Sequence, residues 1–236
     1  MQGLVSRRTA PNFQETFNFI TSLAGLVLYY PQDEAIGNAI NYAPATFGTM
    51  PGVNTAITYR ASGPAGYAYQ RNGTTSQTIT ASNAALNLSG SEITCGLFYN
   101  LTNAGGNYRL MQKFGEDYMF NLESDDAGSK KIRWLIKNQA GDTKSVQTNA
   151  GTPLGSWCSI IGTYNGANLR SYLNGTLQTE TVAEAFTLHG DNGELGVGNT
   201  DGGGDKMIGY TQHFWVSSVA MNQTQITQLN QIAGVI

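Results

Sequence analysis

The chain has 236 residues, 12% of them charged, and a formal net charge of −3 at pH 7. So weak a field leaves no electrostatic footprint for nucleic acid or an acidic membrane surface, and no apolar run is long enough to cross a bilayer. The surface falls to uncharged polar residues and 29 glycines, a composition that suits strands and turns, and a single all-β domain fits this length.

Low charge also leaves little repulsion between copies, so a homo-oligomer is expected. Arg7-Arg8 near the start precede no unbroken apolar stretch, because Asn12, Gln14, Glu15 and Asn18 interrupt it, and the chain is expected to be unprocessed. Pro11 suits the first turn of a short helix with Phe13, Phe17 and Ile20 on one stripe and Gly25 ending it. Two roles fit that stripe. The helix plugs the open end of the β domain, or it is an arm that docks a partner subunit through Phe13, Phe17 and Ile20, with Arg7 and Arg8 pairing to carboxylates.

Residues 26–31, LVLYYP, read as a strand, and residues 38–64 as a loop-rich stretch broken by Pro44, Gly48, Pro51-Gly52 and Gly63-Pro64, with a strand near 53–59. Strands are expected at 67–73, 77–80 and 92–100, after a short linker at 84–90. Three more follow at 107–113, 118–123 and 131–137. In the last of these Ile132, Trp134 and Ile136 share one face, so one side is core and the other wet. A short strand at 143–148 leads to the most informative stretch, residues 157–177, WCSIIGTYNGANLRSYLNGTL. Its β-formers are punctuated by Asn165-Gly166 and Asn174-Gly175, which tolerate the positive φ of tight turns. Closing strands are expected at 185–188, 194–197 and 208–219. Asn222 with Gln225 then caps a helix carrying Ile226, Leu229 and Ala233 or Ile232.

The 157–177 stretch resembles the hairpin of laminin-G-like jelly rolls in the concanavalin A-like lectin and glucanase superfamily, where a Trp, a Gly-Thr-Tyr-Asp-Gly-like turn and a Tyr-x-Asn-Gly turn recur. Leu26 to Pro31 followed by Asp33-Glu34 resembles the family's opening strand, which pairs with the last, and the likeness runs to the end of the chain. It implies an all-β, two-sheet antiparallel sandwich with short N- and C-terminal helices, organised as an arm at 1–24 and a jelly roll at 25–236. Pentraxins, relatives of the superfamily, bridge the equivalent strands with a disulfide. Aligned on Ile93-Thr94 and Thr163-Tyr164, Cys95 falls one position early and Cys158 three, and an odd offset turns a strand side chain to the other face. Buried free thiols are the plain reading, with a bridge as the alternative.

Candidate chemistry is sparse. Glycosidases on this fold carry Glu-x-Asp-x-Glu on one strand so that two carboxylates flank the glycosidic bond. Glu123-Ser124-Asp125 supplies the first half and then enters Asp126-Ala127-Gly128, a turn, so an enzyme is not expected. His189 precedes Gly190-Asp191 and reads as a turn residue, and His213 as a strand histidine. Asp191, Asn192, Glu194, Asp201 and Asp205 sit in a Gly-rich segment of the kind that holds Ca²⁺, but Asp beside Gly is also what any turn selects, so no cofactor is expected and calcium is the one to consider. Glycan binding needs exposed aromatics for stacking plus amides and carboxylates for hydroxyls; Trp134, Trp157 and Trp215 all fall inside expected strands and read as core.

Phage capsid decoration, head-fibre and tail proteins resemble this chain in placing a laminin-G-like roll behind an N-terminal arm. That resemblance implies a non-enzymatic virion structural protein, located in the virion and docked onto partners such as a major capsid protein. The alternative it leaves open is a lectin-like module that binds glycans.

Overall fold

The computed structural model describes residues 11–103, 108–113, 120–124, 130–182, 187–190, 193–198 and 206–236. Two helices, α1 (Pro11–Thr21) and α2 (Gln223–Ala233), bracket fifteen strands among these residues. The strands are β1 (Leu26–Tyr30), β2 (Gly52–Thr55), β3 (Thr58–Gly63), β4 (Gly66–Asn72), β5 (Gln77–Thr80), β6 (Ile93–Leu101), β7 (Tyr108–Lys113) and β8 (Phe120–Ser124). They continue as β9 (Ile132–Lys137), β10 (Thr143–Gln147), β11 (Cys158–Tyr164), β12 (Asn168–Leu173), β13 (Thr176–Val182), β14 (Leu195–Val197) and β15 (Ile208–Ser217). One sheet has eight strands in the order β13-β12-β11-β6-β15-β4-β3, with β1 also on β15; the other has seven, β10-β9-β8-β7-β14-β5-β2. Every pairing is antiparallel.

The faces explain the sequence pattern. β6 and β11 sit mid-sheet with every residue buried, because one side meets the opposite sheet and the other meets helices. On β9, Ile132, Trp134 and Ile136 are buried while Arg133 is exposed, since the outer face of the seven-stranded sheet carries no helix there. Asn174 and Gly175, at φ 48° and 75°, turn the chain tightly between β12 and β13.

β15 changes neighbour halfway. Residues 208–211 pair with β4 and residues 214–217 with β1, and a bulge between Gln212 and Trp215 makes the exchange, with His213 at φ 47°. The single strand expected near 53–59 is two strands, β2 and β3, parted at Ala56 where φ is 50°. Of the strand expected at 185–188, residues 185 and 186 lie outside the described residues, and Leu188 makes an isolated bridge to Asn138.

The helices pack against each other and lie on the outer face of the eight-stranded sheet. Ile20, Leu23, Tyr29, Phe98, Ile161, Tyr172, Trp215, Ile226 and Leu229 form this second core. Asn222 closes a full capping box with Gln225, Gly234 ends α2 at φ 70°, and the buried Asn230 side chain accepts a hydrogen bond from Ser159 on β11. The first helix thus covers a sheet face instead of plugging an open end. Phe13 and Ile20 are buried and Phe17 packs at the edge of the same core, so the residues expected as docking anchors are covered by their own chain. Arg7 and Arg8 lie outside the described residues.

Candidate functional site

Where the helical layer ends, the eight-stranded sheet presents a short row of side chains. Tyr99 and Thr211 lie opposite each other and point inward, Tyr99 into the main core and Thr211 to Arg71, so the next positions, Asn100 and Tyr210, point outward. Cys158 pairs with Tyr99 and also faces the core, and the same register brings Trp157 beside Asn100. Tyr210 pairs with Gln70 on β4, and Gln70 with Thr58 on β3. The row therefore runs Trp157, Asn100, Tyr210, Gln70, Thr58 across five neighbouring strand positions and contains no charged residue.

Local backbone chemistry sets this arrangement. Gly155, at φ 73°, donates its N–H to Leu101 O at 2.7 Å and brings the chain into β11 against the end of β6. Gly209, at φ 144°, lets β15 close on β6, since a Cβ there would overlap the Asn100 carbonyl oxygen.

Trp157 and Tyr210 are half-buried, with ring centroids 6.2 Å apart and planes tilted by 42°. Trp157 leans on the edge of the second core, while Gln70 and Thr58 are exposed. Asn100, between the two rings, is 7% exposed, and its side-chain carbonyl oxygen is buried without a hydrogen-bond partner. Buried amide oxygens are almost always paired, and this one is an exception lying beside two half-buried rings. Aromatic faces with a few convergent amides are the means by which proteins hold sugars, the rings meeting C–H faces and the amides meeting hydroxyls.

The residues singled out from sequence have other fates. Glu123, on β8, is ion-paired to both Arg109 on β7 and Arg133 on β9, so both carboxylate oxygens are engaged. Asp125 lies outside the described residues. His213 is fully buried. Its Nδ1 shares a hydrogen bond of 2.6 Å with the Tyr29 hydroxyl, Phe13, Tyr29 and Phe98 surround the ring, and burial pushes its pKa down to about 3. Cys95 and Cys158 are buried free thiols, raised by burial; Cys95 pairs with Gly162 and Cys158 with Tyr99, four register steps apart on adjacent strands. Asp191, Asn192, Asp201 and Asp205 lie outside the described residues, and among those described no group of three or more His, Cys, Asp or Glu could hold a metal ion.

Trp134 and Trp215 are core, as expected, but Trp157 is not. It stands one position ahead of the core-facing Cys158 and so on the outer side of the sheet, the side on which Trp215 is buried beneath the helices, and it packs only at the edge of that helix-covered core.

A laminin G domain model described as the concanavalin A-like lectin/glucanases superfamily matches residues 72–227. The chain belongs to that superfamily. Among solved structures, this superfamily domain is similar to the binding domain of paraclostridial mosquitocidal protein 1, at 15% identity and a TM-score of 0.72 over 89% of this chain and 52% of that one. Domain 4 of AbnA, a GH43 extracellular arabinanase of Geobacillus stearothermophilus determined with arabinotriose, gives 17% identity and a TM-score of 0.70, covering 88% and 99%. The binding domain of botulinum neurotoxin DC in complex with SialylT gives 10% and 0.67, covering 91% and 52%. The chain spans about half the length of the two toxin domains and matches the arabinanase domain almost end to end. At these identities the likeness is one of fold. Comparison with curated proteins gives no match.

Proposed function

We propose that this domain is a lectin-like, non-enzymatic module that binds an uncharged glycan along the Trp157, Asn100, Tyr210, Gln70 row. The single observation that carries the reading is the Asn100 carbonyl oxygen, buried and unpaired between two half-buried aromatic rings. A sugar that parts the Trp157 and Tyr210 rings uncovers that oxygen and donates a hydroxyl to it, and Gln70 and Thr58 offer further hydrogen bonds to the neighbouring unit. The absence of charge in the row favours neutral sugars over acidic ones. The fold is shared with a domain solved with arabinotriose and with one solved with SialylT, which supports carbohydrate as the ligand class.

The virion reading draws no support from these likenesses, and its docking anchors Phe13 and Ile20 are occupied inside the domain. Hydrolysis is disfavoured by Glu123, whose oxygens are held by two guanidinium groups.

A panel of immobilised neutral oligosaccharides tests the proposal. The domain should bind at least one arabinan, glucan, galactan or mannan fragment, and Trp157→Ala should weaken that binding about tenfold, the worth of one well-placed ring. Binding undiminished in Trp157→Ala would move the site elsewhere.

A further inference from the structure

At one pole of the sandwich, a guanidinium group is enclosed between the sheets with only neutral partners. Arg71, near the end of β4, is 1% exposed. Its Nε donates to Thr211 Oγ1 on β15 at 2.9 Å, and its Nη2 donates to Thr78 Oγ1 on the facing sheet at 3.2 Å. The Thr78 hydroxyl in turn donates to Asn54 Oδ1 at 2.7 Å, so a lone pair faces the guanidinium. Gly198, just past β14, closes the other side: a Cβ there would stand 2.5 Å from Arg71 Nε and 2.7 Å from Cζ. Nη1, with two N–H donors, has no hydrogen-bond partner among the described residues.

An arginine in such surroundings remains charged at neutral pH, even with its pKa lowered to about 9 by burial. Buried charges in proteins are paired, because hydroxyls replace only part of the lost hydration. No carboxylate among the described residues pairs with Arg71, and Asn54, Thr78 and Thr211 bring no charge. The unsatisfied demand is for a negative charge on the Nη1 side.

We propose that Arg71 is the floor of an anion site, taking a compact monoanion against Nη1 and so joining the two sheets at this pole. Because Nη1 is fully buried, the ligand must be as compact as a halide or a small carboxylate. The site is independent of the aromatic row on the outer face of the sheet, since Arg71 points inward.

The test uses the whole chain. Melting temperature is followed at constant ionic strength while chloride or formate replaces a bulky sulfonate. A saturable rise on the order of 5 °C is expected for either small anion, and Arg71→Met should abolish the dependence while leaving oligosaccharide binding intact. Should Arg71→Met fail to fold, broadening of the chloride NMR line by the wild-type chain, reversed by formate, reports the same site. Response to chloride alone makes the ligand a free halide, and response to formate as well makes it a carboxylate site. Identical melting in all three salts with no chloride broadening, or the same dependence in Arg71→Met, would overturn the proposal.

Discussion

The indole of Trp134, on the seven-stranded sheet, lies flat against Gly162 on the eight-stranded sheet, where a Cβ would stand 2.6 Å from Trp134 Cγ. The largest side chain of one sheet thus fills the space left by the smallest of the other. Gly162→Ala should overpack the centre of the core and cost about 1–3 kcal/mol, read as a lower denaturant midpoint with an unchanged slope. An alanine variant as stable as wild type would mean that the two sheets are not held this closely.

The helical layer gives a second expectation. Phe13 is buried against His213 and close to Gly66, whereas Glu15 on the same helix is exposed. Phe13→Ala should therefore destabilise the chain by about 3–5 kcal/mol, and Glu15→Ala should stay within about 0.5 kcal/mol. Equal and small effects at both positions, measured by chemical denaturation, would return Phe13 to an exposed docking role.

How much of this was legible in the sequence depends on what each residue type constrains. Asn174-Gly175 and Asn165-Gly166 speak through positive φ that few other residues adopt, and Asn222 through a side chain that caps the helix with Gln225, so the hairpin and α2 could be read directly. The alternation in β9 was equally plain, because one of its faces is wet. β6 and β11 are buried on both faces, so their sequences carry no alternation to separate the main core from the helix-covered one. The role of Phe13, Phe17 and Ile20 was undecidable for a similar reason: an apolar stripe looks the same whether its groove belongs to a partner or to the same chain. The aromatic row was hidden because Trp157, Asn100 and Tyr210 come from three distant segments, and only the register of β6 with β11 and β15 places them together.

Acid should weaken the fold through His213. Its folded pKa, about 3, lies well below the unfolded value near 6.5, so the unfolded chain binds the extra proton between these limits. Stability is lost as pH falls through that window, by about 1.4 kcal/mol per pH unit from this residue. Glu34 acts in the opposite sense, because burial raises its carboxyl and its folded form takes up a proton sooner than the unfolded chain. The difference between wild type and His213→Gln isolates the histidine: the variant should show a flatter decline between pH 6 and 4, windows set by the same two limits. Parallel stability curves would mean that His213 is protonated in the folded chain.

Neither thiol should react in the native state. Cys95 and Cys158 are fully buried and held towards the protonated form. Four register steps along a strand amount to about 13 Å, too far for a disulfide. A thiol reagent should label neither cysteine until denaturant is added and then label both of the two in the sequence. Fewer than two in denaturant without reductant would reveal a bridge.

In the proposed function a neutral glycan rests on Trp157 and is held by the unpaired oxygen of Asn100. Of the three tryptophans, Trp134 and Trp215 are fully buried and Trp157 is half-buried, so the indole emission that responds to a sugar at this site belongs to Trp157. The most direct measurement is a fluorescence titration of wild type, Trp157→Phe and Asn100→Leu with the best neutral oligosaccharide from the panel. A saturable spectral change is expected in wild type, with its disappearance in Trp157→Phe and an affinity at least about tenfold weaker in Asn100→Leu, where the receiving hydrogen bond is gone. Saturable binding that leaves the Trp157 emission unmoved and is indifferent to Asn100→Leu would contradict it.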